Sequence, residues 1–151
     1  MLHVIFYIEY LSIKNGERSM VVIAIPSDSD RGMEGYMDFR FGRCAFFTFV
    51  ELDNDGKLLS VTTSSNPATQ AMGGAGPMAV QFVTSKQANV AVVAQVGPNA
   101  AAALSASGMQ VLTLPDMSNP PYTVKSLVEA YKQGELIEFA GANVVSKTGM
   151  G

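Results

Sequence analysis

The sequence predicts a single α/β domain built on a mixed five-stranded sheet with three helices. The chain has 151 residues, and 48% of them are hydrophobic, which is enough for one sizeable core. Its first half contains two apolar runs joined by the turn Asp53-Asn54-Asp55-Gly56, a strong hairpin signal. In its second half, short apolar runs alternate with Ala-rich segments that Pro or Gly residues open, which is typical of strands connected by helices.

The first three predicted strands form a meander. Residues 20–26 are a continuous run of apolar, mostly β-branched side chains ended by Pro26, which predicts a buried strand. Residues 44–52 are rich in aromatic side chains and predict a second strand. Because the hairpin turn follows directly, residues 57–64 predict the antiparallel return strand.

Helices and strands then alternate along the chain. The predicted elements are a helix over residues 77–87, a strand over 90–96, a helix over 100–107, a strand over 109–114 and a helix over 123–133. Pro77 favours a first helical turn, and Gly108 and Gly134 are placed to end the second and third helices in a left-handed conformation.

This element order predicts the topology. Strands joined by a helical crossover run parallel with right-handed connections, so we expect the sheet order 3-2-1-4-5 with strand 2 antiparallel, a ribonuclease-H-like motif. The domain is predicted over residues 20–138. Residues 1–19 are an N-terminal extension, either a start codon placed too early or an extra strand, and residues 139–151 are rich in Gly, Ala and Ser, which predicts a flexible tail.

The topology also predicts where a ligand binds. Strands 1, 3, 4 and 5 run in one direction, so the loops that follow them emerge at the same edge of the sheet. These loops cover residues 27–43, 66–76, 97–99 and 115–121. Open α/β sheets bind ligands at such an edge, where the connection order changes.

Two of these loops lead into helices and contain small residues. Gly73, Gly74, Ala75 and Gly76 precede or open the first helix, and Gly97, Pro98 and Asn99 open the second. The first N–H groups of a helix have no partner within it and carry partial positive charge, so a helix start favours an anion. The alternative is that these residues only suit the backbone of a helix start.

A third segment, Arg40-Phe41-Gly42-Arg43-Cys44, precedes the second strand. Arginine stays charged and presents several N–H donors, and a thiol close to arginine and helix dipoles tends toward the thiolate, which ligates metal. The alternative is a buried thiol and a surface arginine. The thioethers of Met33, Met37 and Met72 could touch a soft metal, although methionine more often fills gaps in a core.

Several classes of function are excluded by what the sequence lacks. The net charge is −3 and the pI about 5.0, so nothing global favours nucleic acid or an anionic membrane. With one cysteine and one histidine, the chain cannot form an ordinary zinc site or ligate a conventional iron–sulfur cluster alone. No Asp or Glu occurs from residue 56 to residue 115, which removes a nuclease-type metal site, and no Ser–His or Cys–His pair lies within the domain. The sequence therefore predicts a non-enzymatic protein.

Taken together in order and spacing, residues 20–26, 40–47, 73–77 and 96–100 resemble the dinitrogenase iron–molybdenum cofactor family, which includes NifX, NafY, the C-terminal domain of NifB and the orange proteins. The resemblance covers about residues 20–138. It implies a ribonuclease-H-like fold and a cytoplasmic carrier of an anionic metal–sulfur cluster of the iron–molybdenum or molybdenum–copper type. It also implies a cluster that can be lost on purification, and a MinD-like ATPase or a cofactor-assembly protein as partner.

The sequence departs from this family at two positions. Family members often carry histidine where Arg40 stands, and many have a histidine just before the glycine-rich loop, where Gln70 and Met72 stand here. The departures indicate that a cluster is held mainly as an anion. The predicted cofactor-binding residues are Arg40, Phe41, Gly42, Arg43, Cys44, Met72, Gly73, Gly74, Ala75, Gly76, Gly97, Pro98 and Asn99, with Cys44 as the metal ligand.

A second hypothesis keeps the fold and changes the function. In this hypothesis the domain is a regulatory module that has lost cluster binding and docks onto a partner ATPase. The loop over residues 115–121, the third helix or the N-terminal strand would then form the contact.

Overall fold

Six strands form one mixed sheet, and helices cover both of its faces. The computed structural model describes residues 20–143. The strands are β1 (Met20–Ser27), β2 (Phe46–Asp53), β3 (Leu58–Ser65), β4 (Val90–Val92), β5 (Gln110–Thr113) and β6 (Ile137–Glu138), and the helices are α1 (Ala75–Ser85), α2 (Pro98–Ser107) and α3 (Val124–Lys132). Short 3-10 turns cover Gly32–Glu34 and Pro67–Gln70. The sheet order is β3-β2-β1-β4-β5-β6.

The predicted α/β class, with three helices and an open mixed sheet, is confirmed, but the number of strands is corrected from five to six. The added strand, β6, pairs antiparallel with β5 at the end of the sheet. It has only two residues, and both are exposed, so no apolar pattern marks it in the sequence. The ribonuclease-H-like name for this arrangement stays a prediction.

Strand β1 lies inside the sheet, between β2 and β4. It pairs antiparallel with β2 along its full length, from Met20 opposite Asp53 to Ser27 opposite Phe46, and parallel with β4. Both of its edges are hydrogen-bonded and both of its faces are covered. This burial explains why the strand reads as a continuous apolar run rather than an alternating one.

Each face of the sheet carries its own hydrophobic core, because successive side chains of a strand point to opposite faces. Ala24 and Phe47 pack with α1 and α2 on one face, in a cluster that includes Leu104. Ile23 packs with α3 on the other face, in a cluster that includes Leu127. Helices α1 and α2 therefore lie side by side on one face, and α3 covers the other.

The segment after β6 is attached to the sheet as far as the structure describes it. The Phe139 N–H donates to the carbonyl of Val111. The Asn143 side chain donates to the Ala94 carbonyl at 2.6 Å and accepts the N–H of Val96 at 2.8 Å. Phe139 is therefore hydrogen-bonded to β5 and Asn143 to the segment that follows β4. The flexible tail expected from residue 139 onward stays a prediction. The predicted N-terminal extension, residues 1–19, and residues 144–151 lie outside the described residues.

Strand directions bring the connecting loops to one edge. Strand β2 is antiparallel to β1 and β3, whereas β4 and β5 run parallel to β1. The loops after β1, β3, β4 and β5 therefore emerge together, as the topology predicted. None of the helices within residues 20–143 is long and apolar enough to cross a membrane.

Candidate functional site

Two of the predicted segments touch through their backbones. We call residues 40–44 the arginine turn and residues 71–76 the glycine loop. A Cβ atom built on Gly42 would lie 3.1 Å from both the N and the Cα atom of Gly76. This is tighter than nine in ten real Cβ contacts, so a larger residue at position 42 would require the turn or the helix start to give by a few tenths of an ångström. The structure thus brings these two segments to the same side of the molecule.

The third segment lies on the other side of the arginine turn. Arg40 forms an isolated parallel bridge with Gln95. The Gln95 N–H donates to the Phe39 carbonyl at 2.8 Å, and the Phe41 N–H donates to the Gln95 carbonyl at 3.3 Å. Gln95 stands two residues before Gly97, so this pairing attaches the arginine turn to the segment that leads into α2.

Both helix starts present backbone N–H groups at this edge. In α1, Gly74 precedes the first turn in a left-handed conformation with φ of +70°, and no side chain caps the helix. The first helical bond runs from the Met78 N–H to the Gly74 carbonyl. In α2, Pro98 occupies the first turn and Gly97 precedes it, again without a side-chain cap. Such starts leave N–H groups without an acceptor inside the helix, although Pro77 in α1 and Pro98 in α2 have no N–H.

Arg40 is neutralised by a residue that the sequence analysis did not single out. Its Nε and Nη2 atoms donate to the two carboxylate oxygens of Asp38 at 3.2 and 3.0 Å, and its backbone N–H donates to Oδ1 at 2.9 Å. The hydrogen bond and the negative charge of Asp38 raise the pKa of Arg40. Arg40 points to solvent, with 64% of its side chain exposed, while its partner is 11% exposed. Much of its charge is therefore already offset.

Arg43 joins the arginine turn to the glycine loop. Its Nη1 atom donates to the Ala71 carbonyl at 2.8 Å, and the side chain is partly buried. Among residues 20–143, no carboxylate lies within salt-bridge distance of Arg43. Within the described part of the chain, its positive charge therefore has no carboxylate partner at the contact between the two segments.

Cys44 does not have the chemistry that the sequence predicted. Its side chain is fully buried, and Sγ donates to the Phe41 carbonyl at 3.4 Å. Burial, followed by the nearby charge of Asp38, raises the pKa of the thiol to about 12. Burial therefore favours the protonated thiol over the thiolate that the sequence predicted. The role of Cys44 as a metal ligand stays a prediction.

The methionines also separate into two groups. Met37 is buried, and Met33 packs against the core on the α3 face. Met72 stands at the glycine loop with 99% of its surface exposed. Of the three thioethers considered from the sequence, only Met72 is therefore available to a ligand at the candidate site.

Two asparagines missed by the sequence analysis hold the site loops in place. Asn66 is 2% exposed and donates to carbonyls of the arginine turn. Asn143 bonds to Ala94 and Val96, directly before the start of α2. Asn66 stands before Pro67 at the end of a strand, a pattern shared by many ordinary turns, so neither residue has a distinctive sequence signal.

The site contains no cluster of metal-ligating side chains. Across residues 20–143, no group of three or more His, Cys, Asp or Glu side chains could hold a metal ion. A concavity of about 550 Å³ lies at the opposite edge of the sheet, between the β2–β3 turn and the end of α3, and its lining includes Met20, Asp55 and Tyr131. It is remote from the arginine turn. The arrangement at the candidate site therefore suits an anion held by charge and hydrogen bonds.

Comparison with known proteins gives the family. Residues 20–134 match the family model described as dinitrogenase iron–molybdenum cofactor, and a search of curated proteins found no match. The apo form of the orange protein from Desulfovibrio gigas is 30% identical, with a TM-score of 0.69, and the match covers 84% of this chain and 99% of that one. A NifB-like protein from Thermotoga is 28% identical, with a TM-score of 0.59, and the match covers 78% and 92% of the two chains.

A dinitrogenase-like protein from Methanocaldococcus jannaschii shares the fold at 14% identity, with a TM-score of 0.60 over 82% of this chain and 98% of that one. At that identity the likeness supports the fold alone. The family model spans most of the chain, and the orange protein is similar over nearly its whole length. The chain therefore belongs to the dinitrogenase iron–molybdenum cofactor family.

Proposed function

We propose that this chain is a non-enzymatic carrier that binds an anionic metal–sulfur cluster, of the iron–molybdenum or molybdenum–copper type, where the arginine turn meets the glycine loop. The observation that carries the proposal is Arg43, a partly buried cation without a carboxylate partner among the described residues, placed at the backbone contact between two segments. Membership of a family described by an iron–molybdenum cofactor supports this class of ligand.

In this proposal the cluster is held by charge and hydrogen bonds rather than by several protein ligands. Arg43 supplies the main positive charge. Exposed backbone at Gly73, Gly74 and Asn99 supplies N–H donors beside the two helix starts. Hydrogen bonds to a charged group are stronger than those between neutral groups, so a multiply charged sulfide cluster suits these donors.

The other predicted site residues take supporting roles. Phe41 and Ala75 are buried and shape the floor of the site, while Gly42 and Gly76 permit the close approach of the two segments. Arg40 contributes less positive charge to the ligand, because it is paired with the carboxylate of Asp38. Met72 is exposed and free to contact a soft metal. Cys44 is left out of the binding set.

The proposal also includes a place in the cell and a partner. A carrier must deliver its cluster, so we propose a cofactor-assembly protein or a MinD-like ATPase as the receiving partner, and the cytoplasm as the compartment. The binding described needs no acid–base group, nucleic acid or membrane.

An anaerobic titration tests the proposal. Tetrathiomolybdate, a coloured sulfide dianion, is added alone or with Cu(I), and the visible absorption of the bound form is followed. We expect saturable binding, at least about tenfold weaker affinity in Arg43→Gln because a charge-assisted contact is lost, and tighter binding in Asp38→Asn because Arg40 is released.

The matched control is Arg31→Gln, which removes the same charge from another loop at this edge, where Arg31 lies 5.6 Å from the Tyr36 ring. It should bind like the unmodified protein. Absence of binding by the unmodified chain, or equal weakening by both arginine variants, would contradict the proposal.

The second candidate function is a regulatory module that docks onto a partner ATPase. The structure of the loop over residues 115–121 is the observation that favours it. This loop is largely exposed, yet it is fixed by Tyr122, whose hydroxyl accepts the Asn119 N–H at 2.9 Å and whose ring stacks on Phe39. An exposed, well-held loop suits a protein contact. A pull-down from native extract with metals chelated distinguishes the two candidates, since an interaction that persists without any cluster favours docking.

A further inference from the structure

Asn66 connects the two segments that form the proposed site. It follows β3 and is 2% exposed. Its Nδ2 atom donates to the carbonyls of Gly42 at 3.2 Å and Cys44 at 3.0 Å, both in the arginine turn. Its Oδ1 atom accepts the Ala68 N–H at 3.0 Å, in the 3-10 turn that leads to the glycine loop. One buried side chain thus bonds the arginine turn to the 3-10 turn that precedes the glycine loop.

The surroundings allow only one orientation of this amide. A side-chain amide has two N–H donors and one acceptor oxygen. Here the two donors meet two carbonyl oxygens and the acceptor meets an N–H group. Rotating the amide by half a turn would place its oxygen against two carbonyl oxygens, leaving buried polar groups without partners, which is costly.

The backbone of Asn66 continues the same connection. Its N–H donates to the Ala45 carbonyl at 3.0 Å, and its carbonyl accepts the backbone N–H and the hydroxyl of Thr69 at 3.3 and 3.0 Å. The 3-10 turn fixed in this way ends next to Ala71, and the Ala71 carbonyl accepts a hydrogen bond from Nη1 of Arg43. Asn66 therefore acts on Arg43 from both directions, through the arginine turn and through the glycine loop.

We infer that Asn66 is the positioning residue of the site, setting the separation and orientation of Arg43 and the glycine loop without contacting the ligand. This inference rests on the proposed function for its ligand. The two segments also meet through the van der Waals contact of Gly42 with Gly76 and apolar packing, which have little directionality, and through the Arg43 hydrogen bond. Asn66 adds several directed bonds from a buried position, direct to the arginine turn and through the 3-10 turn to the glycine loop, where the Ala71 N–H donates to the Ala68 carbonyl.

The test substitution is Asn66→Asp. The two side chains have nearly the same shape, and the Oδ1 acceptor for Ala68 is kept. Both donors are lost, and a carboxylate oxygen faces the carbonyls of Gly42 and Cys44. We expect tetrathiomolybdate to bind at least about tenfold more weakly, measured well below the unfolding midpoint of each protein.

The control is Leu127→Ala, a core substitution on the α3 face, 1% exposed and remote from the site. It should lower the midpoint of thermal unfolding without changing the affinity. A second readout is amide hydrogen exchange, in which Asn66→Asp should accelerate residues 40–44 and 71–76 together and leave α3 unchanged. A purely structural role for Asn66 would lower stability and leave the affinity of the folded protein as it was.

The outcomes separate this inference from the proposed function. Should Asn66→Asp bind as tightly as the unmodified protein, or lose no more affinity than Leu127→Ala, Asn66 is not a positioning residue. If the unmodified protein does not bind the probe, the proposed function fails. In that case amide hydrogen exchange alone tests the inference. Faster exchange of both residues 40–44 and residues 71–76 in Asn66→Asp supports it, and unchanged exchange overturns it. If Asn66→Asp does not fold, Asn66→Ser is judged by the same criteria.

Discussion

Cys44 lies at the base of the arginine turn, where its Sγ donates to the Phe41 carbonyl and accepts a long contact from Nδ2 of Asn66 at 3.6 Å. Ionising this thiol would place a negative charge among apolar side chains and near the carboxylate of Asp38. Both effects favour the neutral form, and burial is the larger of the two. In the described structure the residue therefore contributes to the turn by packing and hydrogen bonding.

This environment makes stability depend on pH. The thiol has a folded-state pKa of about 12, whereas a thiol in an unfolded chain titrates near about 8.5. Above the unfolded value, the unfolded chain releases its proton while the folded chain keeps it, so rising pH favours unfolding. The contribution of Cys44 to stability is complete below about pH 8.5 and is lost progressively as the pH rises toward the folded pKa. The effect reaches at most about 1.4 kcal/mol per pH unit.

The measurement is urea unfolding of the unmodified protein and of Cys44→Ala between roughly pH 7.5 and 10.5, the range that spans the unfolded pKa. The free energy of unfolding should fall more steeply with pH in the unmodified protein. All other side chains are the same in both proteins, so the difference between the two slopes reports Cys44 alone. Identical slopes would show that the thiol is not protected by burial.

At the scale of the elements, the site depends on how closely the arginine turn approaches the start of α1. The nearest atoms to a Cβ on Gly42 are the Cα and N of Gly76, followed by the carbonyl carbon of Ala75 at 3.5 Å. All three are backbone atoms of a helix that packs on the sheet. They cannot rotate away as a flexible side chain could, so any added bulk must move the turn itself.

Gly42→Ala is therefore expected to separate the two elements. Overpacking of this kind costs about 1–3 kcal/mol in stability, and the displaced turn should weaken tetrathiomolybdate binding in the same titration. Gly108→Ala is the matched control. Gly108 ends α2 with φ of +80° and has open space around it, so alanine there costs about 1–2 kcal/mol of backbone strain and leaves the site intact. Equal affinity in the two variants would show that the close contact does not shape the site.

At the scale of the whole molecule, the sequence predicted what depends on local pattern and missed what depends on packing. The strand order and the convergence of loops followed from apolar runs, the hairpin turn at Asp53 and helix signals such as Pro77, all of which act over a few residues. The strand β6 and the hydrogen bonds that attach Phe139 and Asn143 were missed, because short exposed pairing and isolated hydrogen bonds leave no periodic pattern.

The site shows the same division. The sequence predicted both arginines and both helix starts as site residues, and their part in binding stays a prediction. It could not show that Asp38 takes up the charge of Arg40, or that Cys44 points into the core, since both depend on side-chain geometry after folding. A charge count along the chain therefore overstated the positive charge at the site, and Arg43 emerged as the main cation only when the pairing was known.

The two cores give a prediction for the molecule as a whole. Leu104 of α2 and Leu127 of α3 are each 1% exposed, but they lie on opposite faces of the sheet. Changing either to alanine should cost about 2–5 kcal/mol of stability, because a cavity replaces well-packed methyl groups. Their effects on ligand binding should differ. Leu104 belongs to the cluster that contains Phe41, Ala75 and Ala100, which underlie the arginine turn and both helix starts.

A cavity in that cluster lets α2 and the arginine turn shift, so Leu104→Ala should weaken tetrathiomolybdate binding as well as lower the unfolding midpoint. Leu127→Ala should lower the midpoint alone, because the sheet separates its core from the site. Thermal unfolding and the anaerobic titration on both variants provide the comparison. If Leu127→Ala weakens binding as much as Leu104→Ala, ligand affinity depends on overall stability. It then does not depend specifically on the packing of the core beneath α1 and α2.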